Sequence, residues 1–344
     1  MRRLLQKIFR PFFVRMADRF ASAPKQEDVF KSLSRLLKII TTQNSSRGIV
    51  VDINIATDHF IIFSDQHKGN KNRGDDFKDN EANYIAALKF YHTQSFNFIN
   101  LGDAEELWKY KADKVMPRYA DALLAEANFQ AGKKYFRTFG NHDLLWKNKL
   151  DVALHFKPFF QMPLPIYEGL VLKATINNEP IQIFLTHGHQ GDKMSDNNAI
   201  STWLVAHIWA PVQRFLDINI NTPSNDFYLR DKHNRLMYEW SSRRNNMFLI
   251  TGHTHKPVFA SGKYSPEVSH TINTEENRAD IKPTYFNTGC CCYNDGDITG
   301  IEIADGSIRL IKWYLVNSIP QRLVLEERRL ADLISKSPAP ADGT

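Results

Sequence analysis

Residues 246–255 read NMFLITGHTH. A short apolar run, Met247–Ile250, meets a glycine and then two histidines one residue apart. Such a run, bounded by turn-forming residues, reads as a buried β-strand. The stretch alone does not explain why two imidazoles stand where that strand surfaces. Four other segments share the habit: FSDQHKG (63–69), NLGDAEELW (100–108), TFGNHD (138–143) and LTHGHQGD (185–192). In each, an apolar strand stops at a cluster of side chains able to hold a metal ion. Six of the chain's twelve histidines fall in these five segments, a concentration that chance scatter does not produce.

Ligands of open α/β sheets gather at the carboxyl ends of strands, so the five loops are expected to converge. Asp65 and His67 stand at i and i+2. On extended backbone both side chains would point to one face, ~6.6 Å apart. His253 and His255 repeat the arrangement. That spacing is wide for one small cation and suits two ions ~3.5–4 Å apart, each taking one imidazole. The glycines before Asp103, Asn141 and His253 are expected to let the chain turn sharply beside the site.

Outward from these motifs, strands alternate with helices early and dominate late. Helical spacing is predicted over 26–43, over DNEANYIAALKFYHTQ (79–94) with Asp79 as N-cap, and over MPRYADALLAEANFQAG (116–132). Strands are predicted at GIVVDINI (48–55), HFIIFS (59–64), LVLKATI, IQIFLT, PTYFNTGCCCY, ITGIEIA and SIRLIKWYLV. The result is a mixed, layered α/β architecture. A helix-rich insertion at about 193–246 separates two histidine-bearing strand ends, a placement that suits a cap. Residues 1–45 are predicted to form a basic amphipathic helical extension, 46–318 the main domain, and 319–344 a C-terminal helix and disordered tail.

Composition narrows the function classes. A net charge of +6 and a pI near 9.0 suit anionic substrates or anionic membrane surfaces. No dense basic stripe interleaved with aromatics stands out, so nucleic acid is not expected as a partner. Cys290, Cys291 and Cys292 are sequence neighbours and cannot build a disulfide framework. A reducing, cytoplasmic setting follows, with the three thiols expected as small apolar residues of a strand. No stretch reaches the ~20 apolar residues of a spanning helix. In MRRLLQKIFRPFFVRMADRF (1–20), Leu5, Ile8, Phe9, Phe12, Met16 and Phe20 share a helical face, interrupted at Pro11. A helix packed on the domain, a peripheral anchor on the inner face of an anionic membrane, and an organelle transit peptide all fit that pattern.

The ordered series Asp65-x-His67, Gly102-Asp103, Gly140-Asn141-His142-Asp143, His187 and Gly252-His253-x-His255 resembles the calcineurin-like metallophosphoesterases. GHTH alone is a weak signal. Five motifs in order, their ligand positions 38, 38, 46 and 66 residues apart, are a strong one. The resemblance implies an α/β fold, a layered α-β-β-α sandwich with a helical cap insertion. It implies two divalent metal ions, one on Asp65, His67, Asp103 and His255, the other on Asp103, Asn141, His187 and His253. Four positive charges against two carboxylates leave a site that attracts phosphate and acidifies a bridging water. A nitrogen and oxygen donor set without thiolate favours manganese, with iron or zinc as alternatives, over calcium.

The implied activity is hydrolysis of a phosphate ester or diphosphate by a metal-bridged hydroxide. His142 is implied to protonate the leaving oxygen and Glu106 to orient it. His187 is preferred over His189 as ligand because the family places the ligand immediately before glycine; His189 would line the site. GDAEELW (102–108) further resembles the UDP-2,3-diacylglucosamine diphosphatases, which carry Gly-Asp-x-x-Glu-x-Trp there, whereas His142 stands where they usually carry arginine. This points to a nucleotide-linked or lipid-linked substrate. Arg214, Arg230, Arg235, Arg243 and Arg244 of the insertion suit either an anion grip, Arg230 and Arg235 first, or a solvated helix face. The alternative readings are a phosphodiesterase or phosphomonoesterase of soluble nucleotides, and a non-catalytic metal-binding scaffold.

Overall fold

The computed structural model describes residues 25–42, 46–191, 227–259 and 283–334. Most of the basic extension (1–24), the insertion over 192–226 with Arg214, the polar loop 260–282 and the tail from 335 lie outside the described residues. Within them run α1 (Gln26–Thr42), β1 (Gly48–Asp52), β2 (Phe60–Phe63), α2 (Glu81–Thr93), β3 (Asn97–Leu101), α3 (Ala112–Val115), α4 (Ala120–Ala127) and β4 (Tyr135–Thr138). There follow α5 (Lys149–Phe156), β5 (Ile166–Tyr167), β6 (Gly169–Ile176), β7 (Glu179–Thr186), α6 (Phe227–Ser242), β8 (Met247–Thr251), β9 (Val258–Phe259) and β10 (Tyr285–Asn287). The chain closes with β11 (Ile298–Ala304), β12 (Ser307–Val316), β13 (Ile319–Arg329) and α7 (Leu330–Leu333).

Two sheets form. One has the order β1-β6-β7-β8-β10-β9, the other β13-β12-β11-β2-β3-β4-β5. Strand β2 shows why they stack. Its four residues are all buried, because successive side chains face opposite ways and both sides are covered. Phe60 and Ile62 join Ile99, Leu172, Ile183 and Ile250 in the layer between the sheets. Ile61 and Phe63 face outward onto Tyr84, Leu88 and Leu123 of the helices α2 and α4. On the far face, Val29, Leu33, Leu36 and Ile40 of α1 pack with Trp240 of α6 on Val171 and Phe184. The architecture is an α-β-β-α sandwich, the layered α/β fold that the resemblance implies. Fully burying one such side chain contributes ~1.5–3 kcal/mol.

Three local expectations are corrected. Residues 26–42, predicted to belong to the extension, supply an outer helix of the sandwich, with Trp240 Nε1 donating to Ser34 Oγ at 3.0 Å. The N-cap of α2 is Asn80, not Asp79; Asn80 makes no side-chain capping bond, and its Nδ2 donates to Asp297 O at 2.7 Å. The predicted C-terminal helix is mostly strand: Ile319–Arg329 pairs antiparallel with β12, and only Leu330–Leu333 is helical. The signal lies in Asn317 and Ser318, both at positive φ, which make the two-residue turn of a hairpin.

Strands β2, β3 and β4 run parallel, and β7 runs parallel to β8. Their carboxyl ends carry the five motifs. Among the described residues no helix is long and apolar enough to cross a membrane.

Candidate metal centre

The loops converge. His67 Nε2 lies 3.0 Å from His255 Nε2, and Asp65 Oδ1 lies 3.7 Å and 3.2 Å from those two nitrogens. Asp103 Oδ2 lies 3.1 Å from His187 Nε2 and 3.8 Å from His67 Nε2. His253 joins Asp103 and His187 in a group whose ligand atoms are all within 4.8 Å of one another. Asn141 is buried beside them, in a loop tied to Asp103 by the His142 N–H, which donates to Asp103 Oδ1 at 2.8 Å. His189 is also buried, its ring centroid 5.5 Å from that of His187.

The backbone reaches this arrangement by a route the sequence did not predict. Asp65, His67, Asp103, His253 and His255 all have φ between 50° and 70°, the left-handed region, so the i, i+2 pairs do not lie on extended strand. Non-glycine residues there cost on the order of 1–3 kcal/mol each and persist only where surroundings hold them. Here the amides of Asp65, His67 and Lys68 donate to the carbonyls of Gly102, Asp103 and Ala104 at 2.9–3.0 Å. The His253 N–H donates to Asp65 Oδ2 at 2.9 Å. Of the three glycines expected to turn the chain, only Gly102 has positive φ. Gly140 and Gly252 are needed for closeness instead: a methyl on either would collide with Asp103 or with Ser64 and Asp65.

Charge inside the cluster is balanced between acids and imidazoles. Burial alone would raise Asp65 and Asp103, yet facing imidazoles, His187 foremost, hold both below the usual carboxylate range. Burial alone would depress His187, but Asp103 and Asp65 push it up to about 9. His255 reaches about 9 against its burial, through Cys290 and Asp65. His253 goes the other way, lowered by burial and by repulsion from His187 and His233.

Whether these residues fit metal ions is decided by what their inward atoms lack. Among the described residues, Asp65 Oδ1, both side-chain atoms of Asn141 and His187 Nε2 are buried with no hydrogen-bond partner, Asp65 Oδ1 and His187 Nε2 meeting only the ligand atoms of the cluster itself. His187 Nδ1 donates to Leu101 O at 3.0 Å, which leaves Nε2 as the bare donor. Tetrahedral ligation at ~2.0–2.1 Å would set two imidazole nitrogens ~3.3 Å apart, close to the His67–His255 spacing. Buried polar atoms of this kind are costly until a partner completes them, and an ion would. The set fits.

Beside it, Glu106 divides its oxygens between His142 Nδ1 at 2.9 Å and His67 Nδ1 at 3.3 Å. Trp108 stacks on the His142 ring, centroids 3.9 Å apart and 21° between planes. Of the insertion's arginines, Arg230 lies within α6, and Arg235 sits 3.7 Å from Glu239 on the same helix. Arg243 and Arg244 lie over the rings of Phe30 and Trp240.

Sequence reasoning missed two contributors and misplaced the cysteines. His233 of α6 lies outside the five motifs, yet its Nε2 lies 2.7 Å from Gly188 O and its ring 5.3 Å from that of His253. Asn234 accepts from Thr254 Oγ1 and Tyr285 OH, bracing the GHTH loop; histidine and asparagine so near that loop's register could be found only by knowing how α6 docks. The cysteines were expected within a strand, but β10 ends at Asn287 and they lie beyond it, in the connection to β11.

No protein-family model matches the sequence, and no curated protein matches it. Solved structures similar to this chain include Vacuolar Protein Sorting 29 from Cryptosporidium parvum, 14% identical with a TM-score of 0.35, over 79% of this chain and 98% of that one. A Vps29 single mutant from Entamoeba histolytica is 14% identical with a TM-score of 0.30, over 78% of this chain and 99% of that one.

Proposed function

We propose that this chain is a dinuclear metal-dependent phosphoesterase acting on a phosphate ester or diphosphate. The observation that carries the reading is Asp103, whose carboxylate stands between two groups of ligand atoms that the protein leaves incomplete. One ion would be held by Asp65, His67, Asp103 and His255, the other by Asp103, Asn141, His187 and His253. Bound divalent ions, manganese first for this nitrogen and oxygen donor set, supply Lewis acidity and bring the pKa of a bound water toward neutrality.

The remaining work falls to side chains of this chain. Glu106 grips His142 through Nδ1, so proton transfer to the leaving oxygen falls to Nε2. Trp108 covers one face of that ring and limits its rotation. Buried walls keep the pair out of bulk water, which strengthens every charge interaction inside. The likeness of GDAEELW to the diacylglucosamine diphosphatases supports a nucleotide- or lipid-linked leaving group, with an anionic membrane surface as the partner of residues 1–24.

Manganese-loaded protein assayed on aryl phosphates, cyclic nucleotides and UDP-linked lipids tests the reading. Turnover on at least one, abolished in Asp103→Asn together with its metal, is expected. Two bound ions without turnover on any would leave a metal-binding scaffold.

A further inference from the structure

The connection after β10 carries Cys290, Cys291 and Cys292 past the cluster, with the Cys291 N–H donating to Asp65 O at 3.2 Å. Alternate side chains part company there. Cys291 enters the core beside Phe63 and Tyr84. Cys290 and Cys292 turn to His255, and the three ligand atoms all lie within 4.8 Å of one another. His255 therefore stands between two donor sets of different character. Its Nε2 faces Asp65 and His67, and its Nδ1 lies 3.6 Å from Cys292 Sγ. Tyr293 OH donates to His255 O at 3.0 Å and steadies the residue from the thiol side.

We propose that Cys290 Sγ, Cys292 Sγ and His255 Nδ1 form a separate thiophilic site for zinc or a similarly soft divalent ion, whose occupancy competes for His255 with the neighbouring oxygen- and nitrogen-lined position. Tetrahedral zinc, with Zn–S ~2.3 Å and Zn–N ~2.0–2.1 Å, sets sulfur and nitrogen ~3.5 Å apart. The observed separation already meets that value. Two cysteines and a histidine leave one position for solvent. Binding releases both thiol protons to water and places no thiolate in the dark core unpaired. Manganese, which prefers oxygen and nitrogen, is expected to ignore the site. Only the competition for His255 rests on the proposed hydrolase; the thiol site stands without it.

The test is a cobalt(II) titration of the full chain. A thiolate-to-metal charge-transfer absorption should grow, saturate at one equivalent, and be bleached by zinc but not by manganese. Cys290→Ser or Cys292→Ser should lose the absorption, while Asp103→Asn should keep it. Asp103→Asn thereby separates failure of this site from failure of the hydrolase reading. Because a cysteine variant can fold poorly, the wild-type chain supplies a second reading: zinc should protect Cys290 and Cys292, but manganese should not, from an alkylating agent read by peptide mass. Absent absorption at saturating cobalt, with equal alkylation in zinc and in chelator, would reduce the contact to a thiol–imidazole hydrogen bond and overturn the proposal.

Discussion

Two buried polar clusters sit at the carboxyl ends of β2, β3 and β4, and they are built on opposite rules. Behind the strands, Lys68, Glu105, Glu126 and Arg137 are wholly buried. Lys68 Nζ reaches Glu126 Oε1 at 2.7 Å, Arg137 is bonded to Glu105, and Tyr135 OH and Trp146 Nε1 donate to Glu126 and Glu105 at 2.6 Å and 2.7 Å. Asp143 adjoins them, pushed up to about 7 by burial and by Asp103 and Glu105. In front, the Asp65–Asp103 cluster turns Asp65 Oδ1, His187 Nε2 and both side-chain atoms of Asn141 inward with no hydrogen bond among the described residues. Behind, only Glu105 Oε1 and Arg137 Nε lack one. A closed network of charges holds loops in place, and an open one awaits a ligand. Lys68 and Glu105 belong to the same loops as His67 and Glu106, so the closed cluster sets the position of the open one.

That contrast can be broken at four points. The largest effect is expected from His142→Ala, which should lower turnover ~10²–10⁴-fold with both ions retained, because its Nδ1 is engaged by Glu106. Loss of metal along with activity would make His142 a ligand, as its closeness to His67 and Asp103 would allow. Arg137→Met tests the closed side. It removes the cation bonded to Glu105, while Glu126 keeps Lys68, and should destabilise the fold by ~3–5 kcal/mol in denaturant titration; a loss under ~1 kcal/mol would show the pair to be dispensable.

The third point is pH. His187 and His255, raised from 6.5 to about 9, contribute stability that is full below pH 6.5 and lost as pH climbs through about 9. In chelator the melting temperature should fall across that window, and manganese affinity should rise across it as protons cease to compete. A melting temperature that climbs with pH in chelator contradicts the assignment. The smallest effect belongs to Asn141→Ala. Its amide has no hydrogen-bond partner among the described residues, so stability in chelator should change by less than ~1 kcal/mol while metal content drops. A large loss of stability would place Asn141 in the closed network instead.

The two clusters were unequally legible. The open one announced itself because aspartate and histidine at the ends of apolar runs have no packing reason to be there. Its backbone did not, since nothing in DQH or GHTH marks left-handed φ at residues other than glycine. The closed cluster was invisible: Lys68 and Glu126 are 58 residues apart, and a lone charge in sequence looks like a solvated one until its partner is seen. A layered α/β fold followed from apolar runs and the sandwich only from the resemblance, yet Ile319–Arg329 looked helical because its strand partner, not its own periodicity, decides it. Three adjacent cysteines hid two roles, since alternation along the chain sends Cys291 one way and its neighbours the other.

The most direct test is anomalous scattering from a manganese-soaked crystal of the full chain. The account predicts two peaks ~3.5–4 Å apart on either side of Asp103, one among Asp65, His67 and His255, the other among Asn141, His187 and His253. A cluster that shows no peak there, its orphaned atoms bonded to ordered water instead, would contradict it.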